Sequence, residues 1–147
     1  MKGFKVAAAR MADARVISAL SRDLGYPGTV KAVRERLRFL LSQDDQRVAV
    51  AVRPNGAVCG WIQAQRSVSL ETGLRVEIVG LIVSESMRRK GVGRALVAQA
   101  ETWASEISAE AVIVRSNRKR VESHAFYPSL GYVSTKTQVV YRKRVVI

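Results

Sequence analysis

Three cations, Arg88, Arg89 and Lys90, run directly into Gly91 and Gly93 within SESMRRKGVGRAL (residues 84–96), and an apolar helical pattern follows at once. Such a run is a solvated surface turn, a nucleic-acid patch or a cradle for phosphates. Leu81, Ile82 and Val83 close an apolar segment just before it, so the chain passes from a buried strand through a short loop into a helix. At that junction the first helical N–H groups lack partners and the helix dipole is positive, which favours an anion. Gly91 and Gly93 let a pyrophosphate approach backbone that a Cβ would screen, with Val92 between them and Arg94 adding a fourth charge. The pattern is not a P-loop, which places Lys and then Ser or Thr after its last glycine. It is not the dinucleotide fingerprint either, because Leu96 stands where a third glycine or alanine belongs.

Other residues carry chemistry singly. Glu77 interrupts an otherwise apolar strand, where a carboxylate costs free energy unless it is paired or wet. Arg120, Ser123, His124 and Tyr127 share one face of a helix. His124 fits a packed or hydrogen-bonded role better than a proton shuttle. Cys59 lies in mid-hairpin and reads as a small core residue rather than a nucleophile. With one cysteine and one histidine in the chain, neither a disulfide framework nor a multi-histidine metal site is expected, and no metal is.

The elements that must position these residues follow from periodicity. Residues 2–9 form a first strand. From Asp13, placed to cap, a helix carries Val16, Ile17, Leu20 and Leu24; GYPG (25–28) breaks it, and Thr29 caps a second with Val30, Val33, Leu37, Leu40 and Leu41 on its apolar face. RVAVAV (47–52), the turn PNG (54–56) and VCGWIQAQ (58–65) read as a hairpin. RVEIVGLIV (75–83) is a central buried strand. A helix over 91–107, a strand over 111–116, a helix over 119–130 ended by Gly131, and one or two strands from Tyr132 onward complete the order. The prediction is one α/β (α+β) domain over residues 1–147, with a single mixed sheet.

The 147-residue length suits one domain with its own core. The 25 Lys and Arg against 12 Asp and Glu give a formal charge of +13, a field that gathers anions without saying anything about fold. Arg10, Asp13 and Arg15 stand where a signal peptide needs its apolar run, and no stretch reaches the roughly 20 apolar residues of a membrane helix. A cytoplasmic protein without a membrane role is expected.

Arg88-x-x-Gly91-x-Gly93 after a buried strand resembles the acetyl-CoA-binding motif of the GNAT superfamily of N-acetyltransferases. RVESHAFYPSLGY (120–132) resembles that superfamily's last helix, and the order of elements agrees along the chain. The resemblance implies the GNAT fold, a mostly antiparallel mixed sheet splayed between its fourth and fifth strands with helices on both faces. It implies acetyl-CoA as cofactor, its pantetheine arm along the backbone of Leu81, Ile82 and Val83 and its pyrophosphate on residues 88–94. The reaction is attack of a primary amine, on a small molecule or a protein, upon the thioester in a ternary complex. Tyr127 takes the position of the acid. Glu77 matches the general base of the histone-acetylating branch, against the alternative of a rim carboxylate paired with Arg75 or a lysine. The usual pantetheine-binding Asn is replaced by Arg120; Asn117, three residues earlier, is the candidate substitute, and Asn117, Arg120 and Ser123 are counted with the cofactor-binding residues. The resemblance also brings a homodimer through the C-terminal strands, which the residues alone do not establish.

Acceptors in that fold lie between the first two helices, the third and fourth strands and the C-terminal hairpin, which singles out Tyr26, Trp61, Gln63 and Gln138. An aminoglycoside is tempting, but polycations need acidic pockets, and only Glu71, Glu77, Asp44 and Asp45 are nearby acids. An acidic or neutral amine fits no worse. Two rivals stand beside the enzyme. Residues 13–41, with Lys31, Arg34 and Arg38, resemble a DNA-binding helix-turn-helix, though no nucleic acid is expected if the cofactor motif is real. A CoA-binding sensor that has lost transfer is the other.

Overall fold

The computed structural model describes residues 3–115 and 121–146, and the chain divides into two units, 1–115 and 116–147. In the first unit β1 (Lys5–Ala8) is followed by a short 3-10 turn at Met11–Asp13, α1 (Ala14–Asp23), α2 (Val30–Leu41), β2 (Gln46–Val52), β3 (Val58–Ser69), β4 (Gly73–Val83), a second turn at Glu85–Met87, α3 (Val92–Glu106) and β5 (Ala111–Val114). The strands form one sheet in the order β1-β2-β3-β4-β5, antiparallel throughout except for the parallel pair β4–β5. The crossover between that parallel pair is α3, as a helix must be when two strands run the same way.

Strand alternation assigns the two faces. Val48 and Val50 join Ala14, Ile17 and Leu37 in one buried cluster, with Trp61 packed against it, so α1 and α2 cover this side. Arg47, one residue out of phase, stacks over the Trp103 ring of α3 at 4.6 Å. A Cβ on Gly60 would come 3.2 Å from Leu96 and Val92, so α3 covers the other side. Its buried stripe of Val92, Leu96, Val97, Ala100, Trp103 and Ala104 is the apolar face expected of an amphipathic helix.

Two caps differ in kind. Thr29 Oγ1 accepts from Ala32 N at 3.0 Å, as expected of an N-cap. Asp13 sits at the N-cap position of α1 but makes no side-chain cap there. Its carboxylate instead accepts from Arg10 N at 2.8 Å, because the preceding turn claims it first.

In the second unit α4 (Val121–Ser129) ends in a turn where Tyr132 N donates to the Tyr127 carbonyl and Gly131 takes φ +92°. The one or two strands expected from Tyr132 onward are not formed: none of residues 132–146 is in a strand. Val133, Val139, Val140, Tyr141, Val145 and Val146 are all exposed. Alternating β-formers make a strand only against a ladder partner, and none pairs with them here.

Candidate acetyl-CoA and acceptor site

The site grows from a defect in β4. Its register against β3 runs Ala64↔Ile78 and then Gln63↔Gly80, leaving Val79 as an extra residue. Such a bulge bends and twists the strand that carries it. The pairing of β4 with β5 stops at the same place, its last pair being Ile78↔Val114. Beyond the bulge, residues 79–83 stay on β3 by one edge while the other edge meets no strand among the described residues. Leu81, Ile82 and Val83 thus present a free edge of backbone N–H and C=O groups, as the splay predicts.

The chain then turns through Glu85–Met87 into α3. Arg89 takes φ +62° and Gly91, the N-cap, takes φ +84°. Left-handed residues at a turn gather successive N–H groups into an anion-binding concavity. No side chain caps α3, and a Cβ on Gly91 would meet nothing within 4 Å. The glycine is therefore required for its φ, while the space beside it is open. Arg88, Arg89, Lys90 and Arg94 are exposed around it and make no ion pair among the described residues, whereas Val92 is buried and Gly93 half-buried. Free amides, an uncapped helix start and unpaired cations fit the amides and pyrophosphate of a CoA-type molecule.

On the face covered by α1 and α2, a cavity of about 390 Å³ opens above β3 and the free half of β4. Its walls include Ser18, Tyr26, Arg36, Trp61, Gln63 and Gly80. Trp61 lies flat on the backbone of Gly80, whose Cβ, if present, would be 2.8 Å from the indole ring. Gln63 donates to Gln46 Oε1 at 3.0 Å, and Gln46 donates to Gln65 Oε1 at 3.3 Å, a glutamine ladder across two strands. Gln65 pairs with Glu77, so the carboxylate lies on the same face as Trp61 and Gln63.

Glu77 is not partnered by Arg75 or a lysine. Its side chain, 14% exposed, holds the Arg115 guanidinium at 2.5 Å, and this contact raises the Arg115 pKa above its usual value. The register explains the choice: Ile113 is the partner of Glu77, so Arg115, two residues on, returns to the same face. Arg115, Arg36 and Ser18 were not singled out from sequence, because nothing local reveals a parallel register or a wall built by a distant helix.

In the second unit, the Tyr127 ring meets Phe126 and Tyr132 edge-on at 5.0 and 5.7 Å, and burial raises its pKa above the ordinary 10.0. Gln138 is exposed in that unit and is not among the residues around the cavity. Asn117 and Arg120 lie outside the described residues, as do the side chains of Ser123 and His124. Of the expected acceptor residues, Tyr26, Trp61 and Gln63 are brought together at the cavity.

Residues 14–132 match the acetyltransferase (GNAT) family. An aminoalkylphosphonate N-acetyltransferase of Salmonella typhimurium is 31% identical over 120 residues, 81% of this chain and 75% of that protein. An aminoglycoside N(6')-acetyltransferase type 1 of Acinetobacter haemolyticus is 35% identical over 66 residues, 45% of this chain and 46% of that protein, so the match spans about half of that relative's length. Among solved structures, the aminoglycoside N-acetyltransferase AAC(6')-Iy in complex with CoA superposes with a TM-score of 0.86 over 97% of this chain and 95% of its own, at 18% identity. That likeness is one of fold.

Proposed function

The chain belongs to the GNAT acetyltransferase family, and on that premise we propose that it moves an acetyl group from acetyl-CoA to a primary amine of a small molecule by direct attack, with both bound together. One observation carries the reading: the β4 edge freed at Val79 runs straight into an uncapped, cation-ringed helix start at Gly91. The edge offers amides to the pantetheine arm through Leu81, Ile82 and Val83, and residues 88–94 offer N–H groups and charge to the pyrophosphate. Asn117, Arg120 and Ser123 belong to the same cofactor reading. Acetyl-CoA supplies the activated acyl group.

The chemistry asks for three proton movements. Glu77, held by Arg115, takes a proton from the substrate ammonium through a water and passes it to solvent. The amine nitrogen bonds to the thioester carbon, gives up a second proton to solvent by the same water, and the C–S bond breaks. Tyr127 gives its phenolic proton to the departing sulfur and regains one from solvent. A phenol is protonated at neutral pH, as a proton donor must be, and burial at Tyr127 carries that state to higher pH. The reading treats residues 1–147 as one catalytic domain working in the cytoplasm. It assigns the exposed apolar C-terminal segment to a homodimer contact. No described helix is long and apolar enough to cross a membrane.

The relatives' names span a polycationic and an anionic class of amine. The first test is titration of acetyl-CoA by calorimetry, with a DNA duplex as control, followed by release of free thiol with amines. Micromolar binding and amine-dependent thiol release are expected. Cofactor binding without release for any amine would leave a sensor in place of an enzyme.

A further inference from the structure

Two residues that line the cavity each carry a buried polar atom with no hydrogen-bond partner among the described residues: Ser18 Oγ and Trp61 Nε1. Ser18 is 1% exposed, on the covered side of α1. An orphaned donor in an apolar wall costs free energy that a matching acceptor offsets. Both groups donate, and the indole N–H does nothing else. Arg36, exposed on α2 and without an ion pair among the described residues, borders the cavity too, and no Asp or Glu does. An apolar occupant would leave the donors orphaned, and a cationic one would face Arg36 with no counter-charge. Glu35 lines the adjoining pocket beside Arg36, and Glu77 stands three residues along β4 from Gly80, on the same face of the sheet.

From this we propose that the acceptor is a short primary amine carrying an oxyanion, a phosphonate or carboxylate, whose oxygens enter the cavity to take hydrogen bonds from Ser18, Trp61 and Arg36. The amine end lies toward Glu77, about 10 Å or less away at the rise of a strand. The cavity of about 390 Å³ accommodates a molecule of that size. The inference rests on the transferase reading for what happens to the amine, but not for the binding of the oxyanion.

The test uses the full chain and four probes: 2-aminoethylphosphonate, 3-aminopropanoate, 2-aminoethanol and spermidine. With acetyl-CoA present, kcat/KM for at least one oxyanionic probe should exceed that for 2-aminoethanol by about tenfold or more. Arg36→Gln, an exposed change that leaves the core intact, should cut that ratio about tenfold, and Ser18→Ala should weaken binding of the same probe in calorimetry. The two oxyanionic arms separate phosphonate from carboxylate. Preference for spermidine or 2-aminoethanol would overturn the proposal, and so would affinity for the oxyanionic probes indifferent to both substitutions. Oxyanion binding sensitive to Arg36→Gln in a protein that ignores acetyl-CoA would uphold the pocket and sink the transferase reading.

Discussion

The turn through residues 88–94 meets solvent with four cations and the unpaired amides of a helix start, whereas the cavity above Trp61 is a half-open, largely apolar cleft lined by one cation and by two residues with orphaned donors. The first is made by a few consecutive residues whose backbone angles do the recognising. The second is made by α1, α2, β3 and β4 together, with no two of its polar groups adjacent in sequence. A backbone-built site holds a common chemical group and tolerates changes of side chain; a side-chain-built site distinguishes one acceptor from another. A chain can therefore keep the first and re-specify the second.

The largest expected effect tests the backbone half of that contrast. Gly91→Val forces a β-branched residue to φ +84° at the start of α3. Acetyl-CoA affinity in calorimetry should fall about a hundredfold, while single charge removals such as Arg88→Gln should cost only about three- to tenfold. Equal losses would erase the distinction. Next, Tyr127→Phe should lower kcat about a hundredfold with little change in the KM for acetyl-CoA. Because burial raises the Tyr127 pKa, the wild-type rate should hold to a higher pH than an ordinary phenol allows before its alkaline fall, and the Phe variant should lack that fall. A fall that persists in Tyr127→Phe would assign the acid elsewhere.

Gly80→Ala presses a methyl group onto the Trp61 ring at 2.8 Å and should cost about 1–3 kcal/mol of stability, read as a lower melting temperature, and acceptor affinity should fall with it. Arg115→Gln should cost about 1 kcal/mol and spare cofactor binding, whereas Glu77→Gln should remove most of the rate. If both variants lose activity equally, the pair acts as one unit rather than as base and holder. Smallest of all, Ser18→Ala deletes an orphaned hydroxyl and should leave stability unchanged or raise the melting temperature by a few degrees. A drop of several degrees would mean that the hydroxyl has a structural partner.

What the sequence reveals follows the same division. The glycine turn before α3 was legible because glycines, cations and the helix onset are contiguous, and Thr29 was legible as a cap because capping is local. The bulge at Val79 was not: nothing in IVGLIV announces which residue β3 leaves unpaired, and the free edge depends on it. Glu77 stood out as a carboxylate in an apolar strand, but its partner was set by the offset of two parallel strands, so the sequence offered Arg75 or a lysine and not Arg115. The C-terminal run alternates as strands do, yet alternation states a preference that only a partner edge can fulfil. Ser18 read as an ordinary helix residue, because burial without a hydrogen bond is a property of the assembled wall.

The seating of Trp61 on Gly80 also equips the protein with a gauge of its own. The chain has two tryptophans. Trp103 lies under Arg47 on the α3 side, and Trp61 borders the cavity on the other, its indole nitrogen unengaged. An acceptor that takes a hydrogen bond from that nitrogen will red-shift the Trp61 emission and leave Trp103 as a constant background. Occupancy of the pocket can then be followed by intrinsic fluorescence, before any amine has been acetylated.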